Sequence, residues 1–401
     1  MEQNKPSIDR LSSLPDSVRR RILSFLPTKF SVRTSILARR WRYLWSYVPN
    51  LIFVNWENQE IINRVMLLNK SQSIHTFALY HNIECSAYQL ETWVTFAITR
   101  RVRRLDLYFQ SQFASLPRCL FTCKTLVCLR LENCGHIPTS GAVCLPRLEK
   151  LYLTYVLYEA DESLQYLISG CPVLEELEID SCGAIAHCKV SSPTIKRLVI
   201  DLRWGGNRLD INTPAVRYLE IHFTLLEHIK SGPLDSLVEA EIRLRNDDME
   251  QHDYLYSRSV LEFIGRLCGV SKCLFLELAF STKIVDSLVS CWTLRFRNLI
   301  ELELKADYFC DEIKGWTKPP QQVPKCLLSH LRIVKLFDIE DEKPVLEIIR
   351  YLLRNSKVLN RMEIAYGELV DYEEKLDMVQ KISLFQRGSA ACEVAFVAFR
   401  L

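Results

Sequence analysis

With fifteen cysteines and eight histidines, this 401-residue chain has enough soft ligands for a metal site or a reactive thiol. Zinc chemistry needs thiolates or imidazoles paired at short spacing. No Cys-x-x-Cys occurs, and the closest group, Cys119, Cys123 and Cys128, is followed by no second cluster at metal spacing. His187 beside Cys188 reads as loop. Most cysteines stand within or beside apolar positions, where a thiol packs as a small hydrophobe. Other chemistries lack their residues as well. There is no Gly-x-Ser-x-Gly and no His-Glu-x-x-His. The Gly-Gly in Trp204-Gly205-Gly206-Asn207 reads as a turn rather than a phosphate cradle. The carboxylates of Asp247-Asp248, of Glu340-Asp341-Glu342 and of Asp371 with Glu373-Glu374 read as solvated loops. The expectation is no enzyme: no catalytic residue, no metal and no cofactor.

What the chain has to position is an apolar surface. Residues 10 to 45 hold three short amphipathic patterns, too little chain to bury its own apolar faces well, so a partner is expected to cover part of them. Pro15 suits a first helical turn, and Asp16 favours the positive end of the helix dipole. Val18, Ile22, Phe25 and Leu26 recur at helical spacing until Pro27 stops the helix. Val32, Ile36 and Leu37 mark a second pattern. Leu37, Trp41 and Trp45, four residues apart, predict one stripe of a third helix. The head is also basic. Residues 1 to 50 hold ten Lys or Arg against three Asp or Glu, a net of +7 in a chain whose total is +3. Arg19, Arg20 and Arg21 are consecutive and fan around a helix, with no aromatic stacking platform beside them. The expected partner is therefore an acidic protein surface and not nucleic acid.

These residues carry a resemblance. Leu14-Pro15, Ile22-Leu23-Ser24-Phe25-Leu26-Pro27-Thr28-Lys29, Thr34-Ser35-Ile36-Leu37 and Arg40-Trp41-Arg42-x-Leu44-Trp45 resemble the F-box of plant F-box proteins. The resemblance implies a three-helix module that docks on the SKP-type adaptor of a cullin–RING ubiquitin ligase. By that likeness the docking face would comprise Leu14, Pro15, Ile22, Leu23, Leu26, Pro27, Val32, Leu37, Trp41 and Trp45. Two positions depart from the pattern. Phe30 stands where an acidic residue is common, and Ala38 where a serine often precedes the basic pair; either change weakens a helix cap.

Further on, one phrase recurs: apolar, two variable, apolar, one variable, apolar. It appears as Val102-x-x-Leu105-x-Leu107 and returns around Leu129, Leu151, Leu177, Leu198, Leu219 and Ala240, at spacings of 24, 22, 26, 21, 21 and 21 residues. That is the period of leucine-rich repeats, in which each unit gives one strand and neighbouring units stack into a single core. Later phrases at Leu274, Leu302, Val334 and Met362 follow at 34, 28, 32 and 28 residues. The longer units have room for an outer helix, as in Val345 to Leu353 and Arg258 to Leu267. In the 21-residue units, such as Ser192 to Asn212, the return path is expected to be loop or a single turn.

Leu120 to Val127, Val143 to Pro146, Leu167 to Glu175 and Leu237 to Ala240 look like phrases of plant F-box/leucine-rich-repeat proteins. Trp316-x-x-Pro319-Pro320-x-x-Val323-Pro324-x-Cys326-Leu327-Leu328-Ser329-His330-Leu331 resembles the FBD domain that closes such chains, as do Leu353-Arg354-Asn355-Ser356 and Gln386-Arg387-Gly388-Ser389. In that family a helix and a further strand usually precede the tryptophan–proline phrase; here Ala306 to Gly315 is too short for both, which implies either a lost repeat or an altered gene model or transcript. The fold class expected is α/β: a three-helix F-box at 8–54, an irregular leucine-rich-repeat solenoid (an arc) at 70–305, an FBD-like α/β unit at 316–366 and its tail at 367–401. The function this implies is a non-catalytic substrate-recognition subunit of an SCF-type ligase. Its F-box would bind the SKP-type adaptor, and through it cullin, while the repeats bind an unknown target protein. The alternative is a repeat scaffold acting independently of the ligase. The N-terminus lacks the apolar core of a signal peptide and no stretch is long enough to span a membrane, so cytoplasm or nucleus is expected, with reduced thiols.

Overall fold

Each recurring phrase becomes a strand, and the strands pair in parallel. A computed structural model describes residues 11, 13–54, 59–81, 86–109, 116–180, 185–202, 208–223, 228–244, 258–278, 297–306, 323–339, 343–367 and 370–397. The chain divides into two units, Met1–Leu174 and Glu175–Leu401.

The first unit opens with helices α1 (Asp16–Leu23) and α2 (Thr28–Arg33) and three 3-10 turns, Thr34–Ile36, Arg39–Trp41 and Leu44–Tyr47. There follow β1 (Asn50–Val54), α3 (Gln59–Leu68), β2 (Thr76–His81), α4 (Ala87–Thr99), β3 (Arg104–Phe109) and β4 (Cys128–Glu132). The short β5 (His136–Ile137), then β6 (Lys150–Thr154), the short β7 (Leu157–Tyr158) and α5 (Ser163–Ser169) complete the unit. Strands β1, β2, β3, β4 and β6 pair in that order, all parallel. Two inward rows run straight across them, Leu51, Phe77, Leu105, Leu129, Leu151 and Phe53, Leu79, Leu107, Leu131, Leu153, each residue at most 1% exposed. Identical period-2 placement in every strand locks the register, because a one-residue slip would turn a whole row to solvent. The ladder thus starts at Leu51 and Phe77, two strands earlier than the phrase at Val102. Aromatic residues at these two strands hid the leucine pattern.

The second unit holds β8 (Glu176–Asp180), β9 (His187–Ser191), β10 (Arg197–Leu202), β11 (Arg208–Asn212), β12 (Tyr218–Phe223), β13 (His228–Ser231) and β14 (Glu239–Leu244). After these come α6 (Arg258–Val270), β15 (Cys273–Leu278), β16 (Glu301–Ala306), α7 (Lys325–Ser329) and β17 (Ile333–Ile339). Last are α8 (Lys343–Asn355), β18 (Arg361–Tyr366), α9 (Tyr372–Ser383) and β19 (Glu393–Val397). Strands β8, β10, β12, β14, β15, β16, β17, β18 and β19 form its parallel ladder. The helices expected in the long units are present as α6 and α8.

The 21-residue units correct one expectation. Their return path is neither loop nor turn but a second strand: β9, β11 and β13 make their own three-stranded parallel sheet. Cys188, Val190, Leu209, Ile211 and Ile229 point inward from it, at most 5% exposed. An extended residue advances about 3.3 Å and a helical one about 1.5 Å, so a short return covers the distance only if extended. His187 and Cys188 are therefore strand neighbours facing opposite sides: Cys188 is buried, and His187 Nε2 lies 3.1 Å from Asp210 Oδ2. Asp371 is likewise no loop residue. It caps α9 in a reciprocal pair with Glu374.

At the apparent lost repeat, β16 pairs directly with β17, placing Leu302 beside Val334 and Leu304 beside Leu336. The two strands pair because each offers the same inward row. Between β17 and β18 the register shifts at Leu336/Ile339, and Asp338 takes a left-handed φ of 54° there. The turn at 204–207, Asp247-Asp248, Glu340-Asp341-Glu342 and the Trp316–Pro320 phrase lie outside the described residues.

Candidate docking module and solvent face of the repeats

The N-terminal module has its own small core. Leu23, Trp41, Leu44 and Val48 are 1 to 5% exposed and pack together, with Leu26 and Ala38 half-buried against them. Arg19 is fully buried in α1; it pairs with Asp16 and lays its guanidinium 5.4 Å from the centre of the Trp41 ring. Asp16 also receives Arg40 at 3.4 Å, which ties α1 to the turn carrying Trp41. The Ser31 hydroxyl donates to the Leu23 carbonyl at 2.9 Å, closing α2 onto α1. The module is stitched to the first strand as well. Asn50 Nδ2 donates to the Ser24 carbonyl at 2.9 Å, and the Ile52 amide donates to Thr28 Oγ1 at 2.7 Å.

This packing sorts the ten expected docking residues. Leu23 and Trp41 lie in the module's interior and are not part of its surface. Pro15, Ile22 and Leu37 are exposed, Leu37 by 67%; Leu14, Leu26, Pro27, Val32 and Trp45 are half-buried. The third helix is broken into 3-10 turns, so Leu37, Trp41 and Trp45 share no stripe: Trp41 ends one turn and Trp45 lies in the next. Four residues outside that set are among the most exposed large apolar side chains: Ile36 at 86%, Phe25 at 76%, Tyr43 at 65% and Phe30 at 50%. Helical spacing could place Phe25 with Val18 and Ile22, but whether that stripe met the core or solvent depended on where Trp41 went.

The solvent face of the second unit's ladder is built from the variable positions of the phrase, and it is a lattice of ions. Each of six cations bridges two carboxylates. Arg197 lies 3.9 Å from Glu176 and 3.8 Å from Glu220, and His222 lies 3.5 Å from Asp201 and 3.0 Å from Glu220. Arg243 reaches Glu241 and, at 3.7 Å, Glu277; Lys305 reaches Glu277 at 3.2 Å and Asp338 at 3.4 Å. Lys335 spans Glu301 and Glu303 at 2.8 and 2.6 Å, and Arg361 spans Glu363 and Glu393 at 2.6 and 3.2 Å. Burial by itself would lower the His222 value; the carboxylates of Asp201 and Glu220 outweigh it and raise it to about 9. The hydrogen bond from His222 in turn holds Glu220 below the usual carboxylate range.

Among the described residues, the one group of metal-ligating side chains close enough to share an ion is Glu220, His222 and Glu241, with ligand atoms within 4.8 Å of one another. Those atoms already have partners: the Tyr218 hydroxyl donates to Glu220 at 2.7 Å and Glu241 at 3.3 Å, and Arg197 and Arg243 supply positive charge. The cysteine trio forms no such group; Cys123 and Cys128 are buried and Cys119 half-buried. No helix among the described residues is long and apolar enough to cross a membrane.

Family models match the three segments in order. The F-box domain matches residues 11–53, the repeats of FBD-associated F-box protein At5g56370 match residues 90–229, and FBD matches residues 318–364. FBD-associated F-box protein At5g56440 of Arabidopsis thaliana is 30% identical over 441 positions, covering 97% of this chain and all of its own length. The chain belongs to the plant F-box/FBD/leucine-rich-repeat family. A second Arabidopsis member, F-box/FBD/LRR-repeat protein At5g56420, is 29% identical over 438 positions, covering 97% of this chain and 99% of its own. Arabidopsis F-box/LRR-repeat protein At4g14103 is 34% identical over 307 residues, 68% of this chain and 78% of its own. The first two alignments are longer than the chain itself, so these members carry residues that this F-box/FBD/LRR chain lacks.

Proposed function

We propose that this F-box protein is the non-catalytic substrate-recognition subunit of an SCF-type ubiquitin ligase. The observation that carries the reading is the exposed apolar surface of a module that already has a core of its own. Ile36, Leu37, Phe25 and Phe30 are half or more exposed on the segment matched by the F-box model. Large apolar side chains left exposed on a module that already has a core mark a docking surface. The SKP-type adaptor would bury Leu37, Ile22 and Pro15 with Ile36 and Phe25, while Leu14, Leu26, Pro27, Val32 and Trp45 support them from half-buried positions. Leu23 and Trp41 act indirectly, by holding α1 against the Arg39–Trp41 turn. Basic side chains on the same segment, Arg20, Arg21, Lys29 and Arg33 among them, favour an acidic adaptor surface and speed encounter.

The repeats then hold the target. The bonds from Asn50 and Ile52 fix the module on β1, so adaptor and first repeats move as one body. The rate gain is proximity: a target lysine held near a ubiquitin-charged enzyme experiences a high effective concentration. This chain itself makes and breaks no bond. Adaptor binding by the purified full chain, measured calorimetrically, tests the reading. Binding that is lost in Ile36→Ser/Leu37→Ser supports it; a well-folded wild type that does not bind leaves a repeat scaffold in its place.

A further inference from the structure

We infer that the C-terminal end of the second unit's ladder is an interface between two copies of this chain, with strand β19 pairing antiparallel to β19 of the second copy. Among the described residues β19 is the last strand of the ladder, paired with β18 alone. The inward positions of the preceding strands are closed: Val334, Leu336, Met362 and Ile364 are at most 2% exposed. Val394 and Phe396 hold the same two positions in β19 and are only half-buried. The backbone is open on the far side of the strand as well. The Glu393 amide donates to the Asn360 carbonyl at 2.9 Å, so residues 393, 395 and 397 bond toward β18. Val394 and Phe396 then turn their N–H and C=O groups outward, a row that no described strand pairs and that fits an extended backbone. Glu393 opens the strand, and beyond it no charge or proline blunts the edge.

Helix α9 adds a second observation. It joins β18 to β19, and its Lys375 ammonium lies 5.9 Å from the ring centre of Tyr366 at the end of β18. Met378 and Ile382 form its buried side. Tyr372 at 81% exposed, Leu376 at 49% and the half-buried Val379 follow at helical spacing, a separate apolar stripe about a quarter-turn away. A two-fold axis beside Ala395, perpendicular to the sheet, covers both features at once. It sets Val394 opposite Phe396 of the second copy and Phe396 opposite Val394 of the second copy, so apolar meets apolar. About four backbone hydrogen bonds form across the pair. The same axis brings the two copies of α9 together. Each helix lies over the step from β18 to β19, about 4.8 Å from the axis, so the pair runs about 10 Å apart, an ordinary helix-packing distance. A strand from another protein would fill the backbone row and leave the α9 stripe in water. A second copy covers both, and a patch that meets itself across a two-fold axis is complementary by symmetry.

The test is sedimentation velocity of the purified full chain from about 0.1 to about 50 μM. The expected result is a reversible shift from monomer to dimer across that range. Leu376→Lys charges an exposed position of the α9 stripe and is expected to weaken dimerisation at least about tenfold with an unchanged melting temperature. Val394→Pro removes an outward N–H that the pairing with β18 does not use, and is expected to weaken dimerisation likewise. Ala395→Cys reads the register directly and keeps the inference falsifiable should the proline variant unfold. Opposed residues of a non-hydrogen-bonded antiparallel pair have Cα atoms about 4.5 Å apart, within disulfide reach. Mild oxidation is expected to give a covalent dimer with Ala395→Cys that is absent from wild type and from Glu393→Cys. A chain that stays monomeric overturns the inference. So does a dimer that folded Leu376→Lys and Val394→Pro leave intact, or an Ala395→Cys dimer that does not cross-link. If the chain is monomeric, anisotropy of a labelled peptide alternating Val and Thr shows whether the edge takes another protein's strand in place of a second copy.

Discussion

Trp41→Ala separates a residue that builds the N-terminal module from those proposed to touch the adaptor. Trp41 is 4% exposed, packs with Leu23, Leu44 and Val48, and floors the fully buried Arg19 at 5.4 Å. Removing a buried tryptophan side chain costs about 3–5 kcal/mol, and losing the ring face under Arg19 adds about 1 kcal/mol. At about 2–4 °C per kcal/mol for a unit of this size, the melting transition of the first unit is expected to fall by about 8–24 °C. Ile36→Ser/Leu37→Ser should behave in the opposite way. Both side chains are already solvated, at 86% and 67% exposed, so stability changes by no more than about 0.5 kcal/mol. Adaptor affinity should fall at least about 30-fold, the effect of losing about 2 kcal/mol at an interface centre. The assay is thermal melting followed by circular dichroism, with adaptor binding by calorimetry on the same samples. A Trp41→Ala chain that melts like wild type yet fails to bind would refute the reasoning, because the indole would then be an interface group and the core assignment would be wrong.

Gly170→Ala is expected to destabilise the first unit by about 1–3 kcal/mol, since a Cβ there would meet Val143 Cγ1 at 2.4 Å and the Val143 carbonyl oxygen at 2.7 Å; a melting curve reads it. The His222 value is raised from 6.5 to about 9 in the fold, so its contribution is fully present below about pH 6.5 and is lost as pH rises through about 9. Denaturant unfolding should accordingly show a decline between pH 7 and 10 that His222→Gln lacks. Among the described cysteines, Cys144 is the exposed one, with Lys124 Nζ 2.7 Å from its sulfur, whereas burial pushes Cys134, Cys171 and Cys326 up to about 12. Brief treatment with iodoacetamide at neutral pH should label Cys144 ahead of those three, as mass spectrometry of peptides would report.

How much of this was written in the sequence depends on the range of the interaction. Period-2 alternation within a strand and a return every 21 to 34 residues are local, so Leu105, Leu129 and their successors announced the ladder, and the stacked rows follow. The same locality made α6 and α8 legible from apolar spacing. Where aromatic residues replaced leucine, at Phe53 and Phe77, the phrase was invisible although the strands are there. The three return strands escaped notice because alternation over four or five residues, as in Leu209-x-Ile211, is too short to tell a strand from a loop until a neighbour pairs with it.

For the docking module, residue types alone identified the family, and a one-dimensional stripe then misplaced Trp41. Helical spacing says which residues share a side, not which side meets the core; that was decided when Arg19 of α1, paired with Asp16, lay over the indole and Ile36 and Leu37 were left in water. The ion lattice divides in the same way. That the phrase's variable positions are rich in glutamate is sequence. That each cation stands between two carboxylates from separate positions is register, and register exists only once strands more than twenty residues apart lie about 4.8 Å from one another.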